Sequence, residues 1–205
     1  IIGRVGSGKS TIAKIIMGLY DATGGTVLLD NSDYRQIDPA DLRRNTAYIA
    51  QDIFLFSGSI RDNIAASLPN ATEADILRAS KMAGVHDFVS RHPMGYDAPV
   101  GEHGSSLSGG QKQAIAFARA ILLAPKILVC DEPTNAMDMQ AEANFVKFLK
   151  QDVKDQTLVL ITHRTSMLPA VDRLILMDQG KLIMDGPREK VMEALNSGAV
   201  KAAGA

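Results

Sequence analysis

The chain has 205 residues, with 22 Lys plus Arg against 23 Asp plus Glu, a formal net charge of −1 and one cysteine. Its length suits one domain, or one core with an inserted lobe, and the balanced charge gives no basic surface of the kind that dominates nucleic-acid binding. Cys130 alone makes no internal disulfide, which suits a reducing compartment, and the longest apolar region, Ala114 to Ala124, is broken by Arg119 before Pro125 and Lys126, too short to span a bilayer.

The chain opens on Ile1-Ile2 with no initiator Met and no signal-like segment, so a longer protein continuing upstream is expected. Ile1 and Ile2 read as a strand tail, followed by GRVGSGKST, Gly3 to Thr11, which fits G-x-x-x-x-G-K-[ST] with Gly3, Gly8, Lys9 and Ser10 in register. A helix is predicted next, with Ile12, Ile15, Ile16 and Leu19 at helical spacing. In that setting the backbone around Gly3, Gly6, Ser7 and Gly8 closes on phosphate oxygens, and the helix start at Ser10 and Thr11 adds its positive dipole end. Lys9 is placed to neutralise β- and γ-phosphates and the Ser10 hydroxyl to hold Mg²⁺.

Thr46 to Ala50 reads as a strand that delivers Gln51, able to orient water or touch Mg²⁺, to its C-terminal end. From Asp52 to about Ala118 a mostly helical insertion is expected, with Thr72 capping EADILRASKMAG. His86, His92 and His103 have no spacing partners and read as ordinary surface or loop residues.

Within LSGGQ, Leu107 to Gln111, Ser108 and Gln111 form a capping box for the helix that follows. Capping leaves Gly109 and Gly110 unexplained, since each costs up to about 1 kcal/mol against alanine in a helix, so a close neighbour is expected there. Bare N–H groups, a hydroxyl and a helix N-terminus make a second anion site. One nucleotide is already served by the first site, which points to two copies facing head to tail, each LSGGQ closing over the other's γ-phosphate.

Ile127 to Cys130 is a short apolar run ending in Asp131-Glu132, read as a buried parallel strand with two carboxylates at the end where α/β sheets bind ligands. Asp131 suits Mg²⁺ and Glu132 suits polarising the attacking water. A helix with Ala141, Phe145, Phe148 and Leu149 on one face precedes a strand, Thr157 to Thr162, that ends on His163, a candidate γ-phosphate sensor. Leu174 to Met177 and Lys181 to Met184 flank Asp178-Gln179-Gly180 as a hairpin, and the tail from Pro187 reads as a short helix fraying into SGAVKAAGA.

With these motifs in this order, the chain resembles the nucleotide-binding domain of an ATP-binding cassette (ABC) transporter over nearly its whole length. The resemblance implies a P-loop NTPase (RecA-like) α/β core in a single domain, 1–205, with an inserted α-helical subdomain at approximately 52–118 and a partial antiparallel β subdomain. It implies ATP and Mg²⁺ as cofactors, catalysis by Glu132, His163, Gln51 and Lys9, and metal ligation by Ser10, Gln51 and Asp131. Within NAMD, Asn135 to Asp138, it makes Asp138 a nucleotide-site residue with Ser108, Gly109, Gly110 and Gln111. Implied partners are a second copy and a transmembrane domain docked near Gln51 and Glu102, with no nucleic acid, at the cytoplasmic face of the inner membrane.

QDIFLFSGSIRDNI and GYDAPVGEHGSSLSGGQ resemble exporters, in which Val100 to Gly104 contacts the membrane domain. LRRNTAYIAQDIFLF, DEPTNAMD and LVLITHRTSML are similar to type I secretion ATPases, implying polypeptide export with a periplasmic adaptor and an outer-membrane channel. Exporters of lipid, drug or peptide stay open, as does a soluble ABC ATPase of DNA repair or translation, although no coiled-coil insertion, tandem cassette or basic surface is present. A module that senses ATP without hydrolysing it is disfavoured by Glu132 and His163. Asn135 stands where the family usually has serine, Lys112 where it often has arginine, and the family's adenine-stacking aromatic would precede Ile1, so this chain alone is expected to bind ATP more weakly than the intact cassette.

Overall fold

The computed structural model describes residues 1–153 and 155–198; the fraying expected beyond Gly198 lies outside the described residues. Ile2–Gly3 (β1) leads to Lys9–Ile16 (α1), then the short strands Leu28–Leu29 (β2) and Ser32–Asp33 (β3), Pro39–Asn45 (α2) and Thr46–Ile49 (β4). A helical stretch follows, Ile60–Ala65 (α3), Glu73–Met82 (α4), Val85–Val89 (α5) and Gly109–Leu122 (α6). The chain closes through Ile127–Asp131 (β5), Met139–Asp152 (α7), Thr157–Ile161 (β6), Arg173–Asp178 (β7), Lys181–Pro187 (β8) and Arg188–Asn196 (α8).

Strands β4, β5 and β6 run parallel, with Ile49 opposite Cys130 and Asp131 opposite Ile161. β1 runs parallel to β7, and β7 pairs antiparallel with β8. The Thr162 N–H donates to the Ile1 carbonyl at 3.2 Å and the Ile1 nitrogen donates to the Leu160 carbonyl, which joins the two strand groups. The C-terminal ends of β1, β4, β5 and β6 consequently share one edge, where open α/β sheets place their ligands.

The apolar runs are explained by burial on both faces. Leu128, Cys130 and Leu160 face a cluster that includes Ile64, Ile115 and Phe148 of the helices, while Val129 and Ile161 pack with Ala13 of α1 on the other side. Phe117 of α6 meets Phe145 and Phe148 of α7 edge to face, each at a centroid distance of 4.8 Å, a geometry aromatic pairs favour. The helical stretch and the sheet therefore share one core. Thr72 caps α4 in a box with Asp75, as its sequence predicts.

Two local expectations need correction. The helix after the glycine loop stops at Ile16, because Leu19 N–H bonds the Lys14 carbonyl and Gly18 N–H the Ile15 carbonyl in a Schellman closure around Gly18. Leu19 is thereby turned out of the apolar face and is 58% exposed. The hairpin forms, but Asp178 belongs to β7; Gln179 and Gly180, both at positive φ, make the two-residue turn. Among the described residues no helix is long and apolar enough to cross a membrane.

Candidate active site

β1 and α1 position the glycine loop. A Cβ on Gly3 would lie 2.2 Å from the Met177 carbonyl oxygen, so the first motif glycine is demanded by the close passage of β1 along β7. Gly6 and Gly8 turn the loop at φ 80° and 94°, and Ser7 is buried beneath it. Lys9 is folded into the loop, 8% exposed, with Nζ donating to the carbonyls of Gly3 at 2.8 Å and Arg4 at 2.6 Å and to Ser7 Oγ at 3.4 Å. A positive charge thus sits at the centre of the loop, with Ser10 half-buried and Thr11 exposed in the first turn of α1.

Strand β5 brings the two acids to the same edge. Asp131 is 2% exposed; its Oδ2 accepts from the Tyr48 hydroxyl at 3.3 Å, while its Oδ1 is buried without a hydrogen-bond partner among the described residues. Burial foremost, then the Asp131 charge and this hydrogen bond, push the Tyr48 phenol up to about 12, so it stays a donor at neutral pH. Tyr48 is a site residue the motifs do not reveal. Strand register brings it there: Tyr48 pairs with Val129 in the parallel ladder, and Asp131, two residues further along β5, projects from the same face.

Glu132 adopts φ 49°, a left-handed conformation that costs a non-glycine residue about 1–2 kcal/mol. Its N–H holds the Ile161 carbonyl at 2.9 Å, and the turn directs its carboxylate towards the end of β6. There Glu132 Oε2 lies 2.9 Å from His163 Nδ1, and the His163 N–H reaches the same oxygen at 3.4 Å. The His163 side chain is 63% exposed and that of Glu132 only 11%, so the imidazole stands between a buried carboxylate and the open edge. Gln51 is exposed just past β4, in the strand adjoining β5.

The LSGGQ signature, Leu107 to Gln111, is built as a helix start. Gln111 N–H donates to Ser108 Oγ at 3.3 Å and Ser108 N–H donates to Gln111 Oε1 at 2.9 Å. A Cβ on Gly109 would come within 2.9 Å of the Ala136 Cβ, so the close neighbour expected at this glycine belongs to the same chain. At Gly110 the nearest atom, the Ala136 carbonyl oxygen, would be an ordinary 3.7 Å away, and the described residues give no reason for that glycine. Asp138 caps α7 by accepting from Ala141 N–H at 2.8 Å. Among the described residues no hydrogen bond links Ser108 to Gln111 with the Gly3 to Thr11 loop: α1 packs on β5 and β6, and α6 on α3, α4, α5 and β4.

A second surface lies beside Gln51. Phe54 and Phe56, 54% and 51% exposed, meet edge to face at 5.4 Å, and Phe54 also meets His103 at 5.4 Å. Arg119 of α6 fixes them: Nε and a terminal nitrogen donate to the Asn63 carbonyl at 2.7 Å and to Asn63 Oδ1 at 2.9 Å, and another reaches the Phe54 carbonyl at 3.1 Å. The patch borders a cleft of about 340 Å³ lined by Tyr48, Ile53, Arg119 and Leu123. Two histidines read as ordinary surface groups thus have partners, His103 here and His86, whose Nδ1 lies 3.1 Å from the Tyr96 hydroxyl.

A family model described as ABC transporter matches residues 1–135. The chain belongs to the ABC transporter family. As an ABC protein it is 42% identical over 192 residues to the toxin RTX-I translocation ATP-binding protein of Actinobacillus pleuropneumoniae, covering 94% of this chain and 27% of that one. It is 41% identical over 196 residues to the leukotoxin translocation ATP-binding protein LktB of Mannheimia haemolytica, covering 96% and 28%. A candidate multidrug export ATP-binding/permease protein of Bacillus subtilis (strain 168), YgaD, is 39% identical over 193 residues, covering 94% and 33%. The structure of a bacterial Atm1-family ABC exporter with ATP bound superposes with a TM-score of 0.89 at 34% identity, over 99% of this chain and 37% of that one. This ABC chain, with its P-loop fold, therefore spans about a third of the length of the relatives it matches.

Proposed function

We propose that the domain hydrolyses MgATP at two composite sites of a head-to-tail pair and drives export of a polypeptide across a membrane. The carrying observation is the convergence at one sheet edge of the Lys9 charge, the unpartnered Asp131 oxygen and the Glu132–His163 pair. The Gly3 to Thr11 loop with Lys9 binds the triphosphate. A buried carboxylate oxygen without a partner fits a hard cation, so Asp131, Ser10 and Gln51 form the donor set for Mg²⁺, which supplies charge neutralisation on the phosphates. Glu132 takes the proton of the attacking water, and His163 orients that carboxylate.

The capped helix start of Ser108 to Gln111 supplies N–H groups to the γ-phosphate of a second copy, and Asp138 lies at that junction. Gly110, which nothing among the described residues of its own chain requires, supports this reading. The Phe54, Phe56 and His103 patch, close along the chain to Gln51 and Glu102, docks the transmembrane domain and so puts the ATPase at the cytoplasmic face of the membrane. Polypeptide export is supported by the toxin and leukotoxin translocation names among the relatives, with a periplasmic adaptor and outer-membrane channel as its expected partners. YgaD supports multidrug export as the second reading.

A segment exchange separates the two. Replacing the corresponding segment of the Actinobacillus RTX-I translocation protein by this chain should preserve toxin secretion with ATP hydrolysis. Hydrolysis without secretion would overturn the polypeptide reading, and absence of Mg²⁺-dependent phosphate release from the chain would overturn the ATPase mechanism.

A further inference from the structure

Glu142 is a carboxylate buried where packing alone calls for an apolar residue. It is 7% exposed on α7, on the face it shares with Phe145 and Leu149 at helical spacing. A buried charge is costly unless its oxygens are satisfied, and here they are: Oε2 accepts from the Arg164 guanidinium and Oε1 from the Ser166 hydroxyl, with the Thr134 side chain as a third partner. Those partners come from two separate segments. Thr134, itself 1% exposed, follows Glu132 by two positions after β5; Arg164 is the residue after His163, and its N–H is held by Thr162 Oγ1 at 3.0 Å. One carboxylate on one helix thus grips both chain segments whose side chains make the 2.9 Å Glu132–His163 contact.

We infer that Glu142 is a positioning residue for hydrolysis, a strut that sets the separation of Glu132 from His163 by anchoring Thr134 and Arg164. The inference rests on the proposed roles of Glu132 and His163. Glu142 touches neither the glycine loop nor the signature in any hydrogen bond among the described residues, so its effect is on turnover and not on nucleotide capture. A misplacement of about 1 Å costs on the order of 10²-fold in rate, which sets the scale.

The test measures steady-state phosphate release by the full chain and backbone hydrogen exchange over residues 162–168. Glu142→Gln keeps the side-chain volume and an acceptor for Ser166 but loses the charged partner of Arg164. It should lower kcat by about 10- to 100-fold with KM for ATP within about threefold, and should speed exchange over 162–168 while leaving α1 unchanged. Ser166→Ala, which removes one hydrogen bond, should give a smaller loss of the same kind, and keeps the question open to measurement if the first variant folds poorly. Arg164→Ala combined with Glu142→Gln should be no slower than the slower single variant, because both break the same strut. Wild-type kcat and exchange in both Glu142→Gln and Ser166→Ala, or an additive double variant, overturns the strut. A Glu132→Gln control tells the two readings apart: an inactive control with a fully active Glu142→Gln removes only the strut, while an active control removes both.

Discussion

His163 Nδ1 lies 2.9 Å from Glu132 Oε2, so the ring nitrogen that faces the protein is committed to the carboxylate. With the proton on Nδ1, a neutral ring presents a lone pair at Nε2, and only the doubly protonated ring presents a second donor to a phosphate. Glu132→Gln removes the proposed base and keeps the shape. It should bind ATP within a few-fold of wild type and turn over about 10²- to 10⁴-fold more slowly, checked by phosphate release beside a nucleotide titration. Normal turnover would remove Glu132 from the base role.

Lys9→Ala deletes the charge at the centre of the glycine loop and leaves the Gly3 and Arg4 carbonyls without their donor. Affinity for a fluorescent ATP analogue should fall at least tenfold, about 1.4 kcal/mol or more. Unchanged affinity would refute the phosphate assignment.

Tyr48→Phe probes the hydroxyl on Asp131. The phenol titrates at 10.0 when unconstrained and is pushed up to about 12 in the fold, mainly by burial. A raised phenol pKa contributes stability that is whole below pH 10 and is lost as pH rises towards 12, since only the unfolded chain releases its proton in that window. Alkaline melts should therefore fall less steeply between pH 10 and pH 12 in Tyr48→Phe than in wild type. Parallel curves would show that the fold does not hold the Tyr48 phenol protonated in that window.

Gly109→Ala drives a methyl group towards the Ala136 Cβ at 2.9 Å. Overpacking of this kind costs about 1–3 kcal/mol, partly offset by alanine's better helix propensity, so a net loss in urea melts is expected. Ala136→Gly in the same chain should relieve it. A Gly109→Ala chain as stable as wild type would return both signature glycines to an intermolecular explanation.

Glu142 predicts an acid limb. Burial would raise its carboxyl, but hydrogen bonds from Ser166, Arg164 and Thr134, with the Arg164 charge, outweigh this and hold it below 4.5. A depressed carboxyl contributes stability present above pH 4.5 and lost as pH falls below it, so acid melts should show a shallower limb in Glu142→Gln.

What was legible in the sequence follows from how each signal is written. Apolar runs closed by polar residues mark β4, β5 and β6, and because the strands are parallel their ends place Gln51, Asp131, Glu132 and His163 on one edge without further information. Capping pairs sit three residues apart, so Thr72 with Asp75 and Ser108 with Gln111 are visible locally. Contacts between remote residues are silent: Tyr48 with Asp131, Gly109 with Ala136 and Arg119 with Asn63 depend on packing that periodicity does not encode. Glu142 is the intermediate case, since a charge in step with Phe145 and Leu149 is a visible break in an apolar stripe. Leu19 shows the opposite error, a periodic residue beyond a helix that Gly18 had already closed.

Arg119 makes helix α6 a crowbar. Near one end the guanidinium is bolted to the backbone beneath Phe54, and roughly 16 Å away along the same rod the helix begins at Ser108. A load placed on the aromatic surface by the proposed docking would thereby pass from the Phe54 backbone into a stiff shaft that ends at Ser108.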